Sequence, residues 1–407
     1  MHDIGFRQAL DLTMTNASPL GLETVATSDL VGRVCGKDVT ALIDYPTTDS
    51  SLKDGYAVLS EDVSAARPDN PVTLDVVGAV NAGDPCHAVV EKSTAVRILS
   101  GAPIPQGATA VLAEEFTEAS GSQVRALACA EPGRNIVFKG AEITKGETLV
   151  QKGQTFTPSR ISLVVAGGLE RVSVFRLPKV GLLATGDEVL LPGVPPEGGK
   201  LFASNVALQQ AWLSSRSIQT TIRRSGDSFE DLTGAVESML SEDDILITSG
   251  GAWKGDRDLI VKVLDTLGWQ KLFHRVRIGP GKAVALGFLG TKPVFCLPGG
   301  PPSNEVAFLM IAFPAVLRMA GYEGSPYIHL TGILEKRVSG QIDWTQAVYC
   351  QTERRDSSIH LMPLETRPRL QALSRACGLV LIPEGVESIP AGTPVDFMYL
   401  TTDPLES

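Results

Sequence analysis

Basic residues are the minority here: 36 Lys and Arg against 46 Asp and Glu leave a formal charge of -10. Binding to nucleic acid needs clustered cations that displace counterions from phosphates, so no nucleic-acid partner is expected. Long apolar runs are also missing. The longest, Val306 to Leu317, is interrupted by Pro314 and closed by Arg318, well short of the roughly 20 residues of a membrane span. It reads as a buried helix, and no membrane association is expected. The start, MHDIGFRQAL, lacks the basic-then-apolar order of an export signal, so a cytoplasmic location is expected. Cysteine is sparse and scattered, at 35, 86, 129, 296, 350 and 377, with no CxxC pair and no clustering with the five His. That supports neither a zinc site nor a disulfide framework and leaves reduced, buried thiols as the expectation.

What is present is an ordinary apolar fraction of 43% over 407 residues, with charge spread along the chain. This is a folded protein of two to four domains at roughly 100 to 200 residues each. Phe6, Leu10 and Met14 recur four apart, the face of a helix over residues 4–16 that packs elsewhere in the chain. From residue 41 to 148 short β-like runs alternate with Gly and Pro: VTLDVVGAV, TAVRILSG, TAVLAEEF and NIVFKG. Thr157 before Pro158 predicts a helix start, in a segment expected to return to the N-terminal part. From Lys179 strands and helices alternate, from VGLLAT to the helix from Ser303 to Met319, which argues for a three-layer α/β domain with a mostly parallel sheet. Short β runs return from about Tyr327: HLTGIL, LVLIP and PVDFMYL. The expected fold class is therefore α/β plus β, with four parts. Residues 1–40 plus 149–176 form a mixed helical and β linker domain, 41–148 a β-rich domain, 177–323 the central α/β domain and 324–407 a small β-barrel-like domain.

Three loops follow apolar strands in the α/β part: ATGDEV, SGGAWKGDRD and LPGGPPSN. Glycine lets backbone approach a ligand, and N–H groups at a following helix start can cradle an anion. In such sheets ligands bind beyond the carboxyl ends of the strands. Any one loop alone is as well explained by a plain turn. Asp187, Glu188, Asp227, Asp256 and Asp258 accompany the glycines, and carboxylates beside an anion site call for a cation between them, such as magnesium. Helix capping is the other use for Asp256 or Asp258. Lys254, Arg257, Arg275, Arg277 and Lys282 lie close in sequence and are expected, as a group, to meet phosphate or oxyanion groups. In the β-rich part, Asp54-Gly55 taken alone is a tight-turn dipeptide. Arg97, Ser100 and Gly101 stand just after a strand, and Arg134, Lys139 and Glu142 in a segment that by itself is ordinary surface.

In order and context, KDGYAV, VRILSGAPIP, PGRNIVFKGAEI, LLATGDEV, ITSGGAWKGDRD, GPGKAVALG and CLPGGPPSNEVAF resemble the MoeA family of molybdopterin molybdenumtransferases, related to the E domain of gephyrin. The likeness runs from about residue 5 to 400. It implies a transferase of molybdenum cofactor biosynthesis that inserts molybdate or tungstate into adenylated molybdopterin, with magnesium-dependent release of AMP. It also implies a homodimer, with the α/β domain of one subunit facing the β domain of the other. Further implied partners are the adenylyltransferase acting upstream and molybdoenzyme-specific chaperones. Matched position by position, the catalytic carboxylates are Asp54, Glu188, Asp227 and Asp258, of which Glu188, Asp227 and Asp258 would hold the metal. Substrate binding falls to Ser100, Gly101, Thr185, Gly186, Ser249, Gly250, Gly251, Lys254, Lys282, Pro298, Gly299 and Ser303.

The chain departs from the family pattern at several positions. SAMDGYAV is SLKDGYAV, with Lys53 in an apolar place. GGVSVG is GGAWKG, bringing in Trp253 and Lys254. KPGKP is GPGKA, losing a lysine to Gly279, and LPGNP is LPGGP, losing an amide to Gly300. RGED is KGAE, with Glu142 for an aspartate, and Gln346 stands where an arginine is expected. These departures motivate an alternative, a non-catalytic paralogue that binds molybdopterin or cofactor as a carrier or scaffold. A nucleotide-processing hydrolase on a similar α/β domain is a third option, but it has no evident use for the DGYAV and SGAP strings.

Overall fold

The computed structural model describes residues 1–195, 198–250, 259–365 and 369–400. It divides into a larger unit, Met1–Glu23 with Phe175–Ser407, and a smaller one, Thr24–Val174.

The larger unit begins with β1 (His2–Gly5) and α1 (Phe6–Asn16). It continues through β2 (Val180–Thr185), α2 (Ser204–Ser214), β3 (Thr220–Ser225), α3 (Phe229–Glu242), β4 (Ile245–Ser249) and α4 (Leu259–Thr266). Next come β5 (Gln270–Gly279), β6 (Ala285–Leu289), β7 (Lys292–Leu297), α5 (Pro301–Ala307) and α6 (Phe313–Met319). The sheet order is β3-β2-β4-β7-β6-β5, with β1 beside β5. Of these only β6 runs antiparallel to its neighbours, so the sheet is mostly parallel. Alternate strand residues point to opposite faces, and both faces are covered. Val180, Leu182 and Ala184 of β2 join the core that α1, α2, α5 and α6 close. Leu183 faces the core of α3 and α4. The result is three layers, with α3 started by the Ser228 hydroxyl, which accepts from the Asp231 N–H at 3.1 Å.

The run Val306–Leu317 is buried throughout, each large side chain contributing roughly 1.5 to 3 kcal/mol. It is not one regular helix: Phe308–Ala312 is a π-helical turn between α5 and α6. Pro314 has no N–H and would crowd the carbonyl four residues back, which the wider turn accommodates. Among the described residues no helix is long and apolar enough to cross a membrane.

Helix α1 buries Phe6, Ala9 and Thr13 rather than a Phe6-Leu10-Met14 face. The strand before it sets this rotation, because β1 pairs in parallel with β5 at His2↔His274 and Ile4↔Val276. Residues 1–23 accordingly group with the larger unit. The helix Pro158–Ala166, capped by Thr157 as its sequence predicts, returns to Leu30, Cys35 and Val39 of the N-terminal part rather than to α1, and shares a core with them and Val150 in the smaller unit.

The C-terminal strands are β8 (Ile328–Leu334), β9 (Thr345–Arg355), β10 (Ser358–Pro363), β11 (Gly378–Ile382) and β12 (Pro394–Tyr399), with α7 (Arg369–Arg375) before β11. Their order β9-β10-β8-β12-β11 closes on itself through β9–β11 pairing, a barrel filled by Leu334, Cys350, Leu361, Val380 and Phe397. Closure removes exposed strand edges. Parallel pairing of Gly279 with Gln346 joins the barrel to β5.

In the smaller unit a six-stranded sheet is ordered Ala110–Ala113, Gly55–Val58, Thr94–Ile98, Val72–Val80, Gln123–Ala126 and Thr117–Ser120. It carries a core on each face, one around Tyr56, Leu74 and Leu112 and one around Ala57, Val96 and Val111. All six cysteines are free, but not all are buried: Cys129 is exposed. Burial pushes the Cys296 and Cys350 thiols up to about 12.

Candidate functional site

Strands β2, β4 and β7 are neighbours, so the three glycine loops depart side by side from their carboxyl ends, as a parallel sheet dictates. Gly250 has φ +111°, and a Cβ there would lie 2.8 Å from the Thr185 hydroxyl and 2.9 Å from its carbonyl oxygen. No other residue fits that approach. Below the loops runs a polar network. The Ser249 hydroxyl accepts from the side-chain amides of Asn205 at 3.2 Å and Asn304 at 3.1 Å. Those amides also donate to the carbonyls of Gly299 and Pro298, both at 2.8 Å, and Gln209 donates to Asn304 Oδ1 at 2.7 Å. The network ties two loops to the starts of α2 and α5. Sequence reasoning missed Asn205, Gln209 and Asn304. Their signal was polar side chains in otherwise apolar helix starts, SNVALQQ and SNEVAF. Above the network Thr185, Glu188, Ser249, Gly250 and Gly299 line a cleft of about 370 Å³.

Next to it, and sharing Glu188, is a cleft of about 620 Å³ lined by Asp187, Glu188, Lys200 and Asp227. Asp187 and Asp227 hold each other in place: the Asp227 N–H donates to Asp187 Oδ1 at 3.1 Å, and the Asp187 N–H to Asp227 Oδ2 at 3.4 Å. Lys200 and Arg224 donate to the Asp187 carbonyl at 2.7 and 3.1 Å, Arg224 also to that of Gly186 at 3.3 Å. The chain thus bends around Gly186 and aligns its carboxylates. Oxygen donors of this kind suit a hard cation such as magnesium. Among the described residues no group of three or more His, Cys, Asp or Glu gathers for a metal; of the three predicted metal ligands, Glu188 and Asp227 line the cleft. The predicted third ligand Asp258, with Gly251, Trp253 and Lys254, lies outside the described residues.

A third cleft, of about 500 Å³, opens where β5 meets the barrel and is lined by Lys282, Ser303, Gln341, Trp344, Gln346 and Arg369. Lys282 and Ser303 were predicted for substrate; Arg369, from α7, was not. Two departures from the family pattern meet here, since a Cβ on Gly279 would come 2.9 Å from Gln346 Oε1. Arg275 and Arg277, expected near phosphate, are used otherwise. Arg275 pairs with Asp3 at 3.1 Å, and Arg277 donates to the carbonyls of Asp3 and Asp343 and pairs with Glu384. They anchor β1 and the barrel because β5 lies between these elements. Behind the cleft the Tyr349 hydroxyl donates to Glu305 Oε2 at 3.0 Å. Burial pushes the Glu305 carboxyl up to about 7, against the opposing pull of this hydrogen bond.

Asp54, Ser100 and Gly101 belong to the smaller unit. Asp54 Oδ1 accepts the Ser100 N–H at 2.7 Å, and the Ser100 hydroxyl donates to the Leu52 carbonyl at 3.2 Å. With Lys53, Glu114 and Glu115, Asp54 and Ser100 line a cleft of about 520 Å³. Gly55 does not form the tight turn its dipeptide suggests. It starts a strand paired on both sides, where a Cβ would collide with the Leu112 carbonyl.

Residues 4–168 match the MoeA N-terminal region (domains I and II), and residues 181–318 match a probable molybdopterin binding domain. A protein of Mycobacterium tuberculosis named molybdopterin molybdenumtransferase 2 is 30% identical over 385 residues, covering 93% of this chain and 95% of that protein. The chain belongs to the MoeA family. A Staphylococcus aureus member named molybdopterin molybdenumtransferase is 27% identical over 407 residues, covering 99% of this chain and 97% of that protein. Two crystal structures of molybdopterin biosynthesis MoeA proteins from Pyrococcus horikoshii cover 98% of this chain and 100% of their own. Their TM-scores are 0.84 and 0.81, at 30% and 26% identity.

Proposed function

We propose that this chain catalyses insertion of molybdate or tungstate into adenylated molybdopterin, with magnesium-dependent release of AMP. The observation that carries this is the pair of oppositely built clefts at the strand ends of one unit, one carboxylate-lined and one lined by Lys282 and Arg369. Glu188 and Asp227, with Asp258, would hold magnesium. When bound, the ion would neutralise the phosphoanhydride oxygens and orient them. Lys282 and Ser303 would receive the oxyanion through charge-assisted and neutral hydrogen bonds. Thr185, Gly186, Ser249, Gly250, Gly251, Lys254, Pro298 and Gly299 would bind the organic substrate, with the Asn205–Asn304 network keeping their loops in register. No covalent nucleophile is needed, because the protein's contribution is to place two anions and a cation together.

We extend this to a cytoplasmic homodimer supplied by an upstream adenylyltransferase and serving molybdoenzyme-specific chaperones. In the dimer the β-rich domain of one subunit serves the α/β site of the other, which gives Asp54, Ser100 and Gly101 a use. The four-part division at residues 40, 148, 176 and 323 belongs to the same proposal.

The test is turnover of adenylated molybdopterin with molybdate and tungstate in parallel, with and without magnesium, and with Asp258→Ala. AMP release that needs both magnesium and an oxyanion is expected, and its loss in Asp258→Ala. Tight pterin binding without AMP release under either oxyanion would leave the carrier function instead, and full activity in Asp258→Ala would refute its metal role.

A further inference from the structure

We propose that the cleft of about 370 Å³ beside the carboxylates binds the fused heteroaromatic ring of the substrate, adenine or pterin, against Phe202. This rests on the transferase function proposed above and assigns residues it leaves unused. Three large apolar side chains line this cleft and stay open to solvent: Leu201 at 65%, Phe202 at 46% and Leu370 at 54% exposure. Other large apolar side chains are also exposed, among them Val31 and Phe138, but three gathered around one concavity mark a place where a ligand can cover apolar surface.

The backbone explains why they stand there. The Leu201 N–H donates to the Glu188 carbonyl at 2.8 Å, and the Ala203 N–H to that of Leu190 at 2.8 Å. Leu201–Phe202 thereby pairs in parallel with Val189–Leu190. The segment that aims Glu188 into the carboxylate cleft therefore also holds Phe202 beside it. Leu370 arrives from α7, the helix that brings Arg369 to the basic cleft.

The polar groups fit a neutral ring with an exocyclic amino group, which adenine and pterin both carry. Among the described residues Glu188, at the edge shared with the carboxylate cleft, is the sole charged lining residue. Asn205 donates to Ser249 and Gly299, which leaves its carbonyl oxygen as the acceptor for an amino group. A ring here would point its phosphate or dithiolene end toward Glu188. An aromatic face with one convergent acceptor is a stacking site for a flat base.

Full-length protein is titrated by calorimetry with AMP and, separately, with 6-carboxypterin. We expect one or both to bind, Phe202→Ala to weaken the bound probe about tenfold, Phe202→Tyr to retain it, and Leu370→Ala to weaken it a few-fold. The probe that responds names the ring. Both positions are largely exposed, and unchanged circular dichroism confirms folding. Equal affinity in wild type and Phe202→Ala, or no binding of either probe, overturns the proposal. Phe202-dependent ring binding without AMP release in turnover leaves this site standing while the transferase function fails. Normal AMP release at unchanged KM in Phe202→Ala does the reverse.

Discussion

The carboxylate cleft and the basic cleft belong to the same unit and to the strand ends of the same sheet, yet they are built for opposite charge. In the first, Asp187 and Asp227 hold each other and Glu188 lines the same cleft, while Lys200 and Arg224 donate to the loop carbonyls rather than to the carboxylates. In the second, Lys282 and Arg369 stand among the neutral polar groups of Ser303, Gln341 and Gln346. A chain with net charge -10 can therefore receive anions, because binding depends on local placement of charge and not on its sum.

The largest expected effect separates the two clefts. Asp227→Asn should lower AMP release roughly a hundredfold, the scale of losing one preorganised charge at a reacting group, and should shift the magnesium titration. Lys282→Ala should instead raise the half-saturating oxyanion concentration about tenfold, as expected for a lost charged hydrogen bond, at an unchanged magnesium titration. If both variants moved the same titration, the clefts would not be distinct sites.

A second, smaller effect concerns the floor of the basic cleft alone. Glu305 ordinarily titrates at 4.5 but is held up to about 7 by burial. Its folded form binds the proton more tightly, so its contribution to stability is complete below pH 4.5 and is lost as pH rises through about 7. Tyr349 and, at longer range, Tyr327 are the titratable groups coupled to it. Glu305→Gln keeps an acceptor for Tyr349. At pH 8 it should be more stable than wild type, relative to the difference at pH 4.5, by on the order of 3 kcal/mol. Denaturant unfolding at the two pH values measures this, and a pH-independent difference would contradict it.

The smallest effect sharpens the wall of the basic cleft. Gly279→Ala would push the Gln346 amide tip from its place 2.9 Å away. Because that tip is flexible, the cost should be about 1 kcal/mol or less, read as a small fall in melting temperature. Oxyanion affinity should change no more than a few-fold. A large loss of stability would mean that the wall is rigid.

Much of the frame was legible from local pattern. Strand and helix alternation, the Thr157 cap and the glycine loops announced the layers and the strand ends that hold ligands. The C-terminal part was expected to be barrel-like, but its strand order and the β9–β11 pairing that closes it were not legible in the short β runs. The rotation of α1 was misjudged, because the partner of β1 lies about 270 residues away in β5, as in His2↔His274.

Sequence by itself determined what near neighbours can specify: periodicity, caps, turn glycines, and motif strings ordered well enough to mark the family. Tertiary structure decided what depends on distant pairs. Ser249 meets Asn304 across 55 positions and Asn205 meets Gly299 across 94. Gly279 faces Gln346, and Leu370 joins Phe202 around one cleft. The physical reason is that hydrogen bonds and packing act over a few ångströms in space, whatever the separation along the chain. Local pattern can therefore identify a loop as a ligand loop, while the residues that hold and complete it come from whichever helices the sheet places beside it.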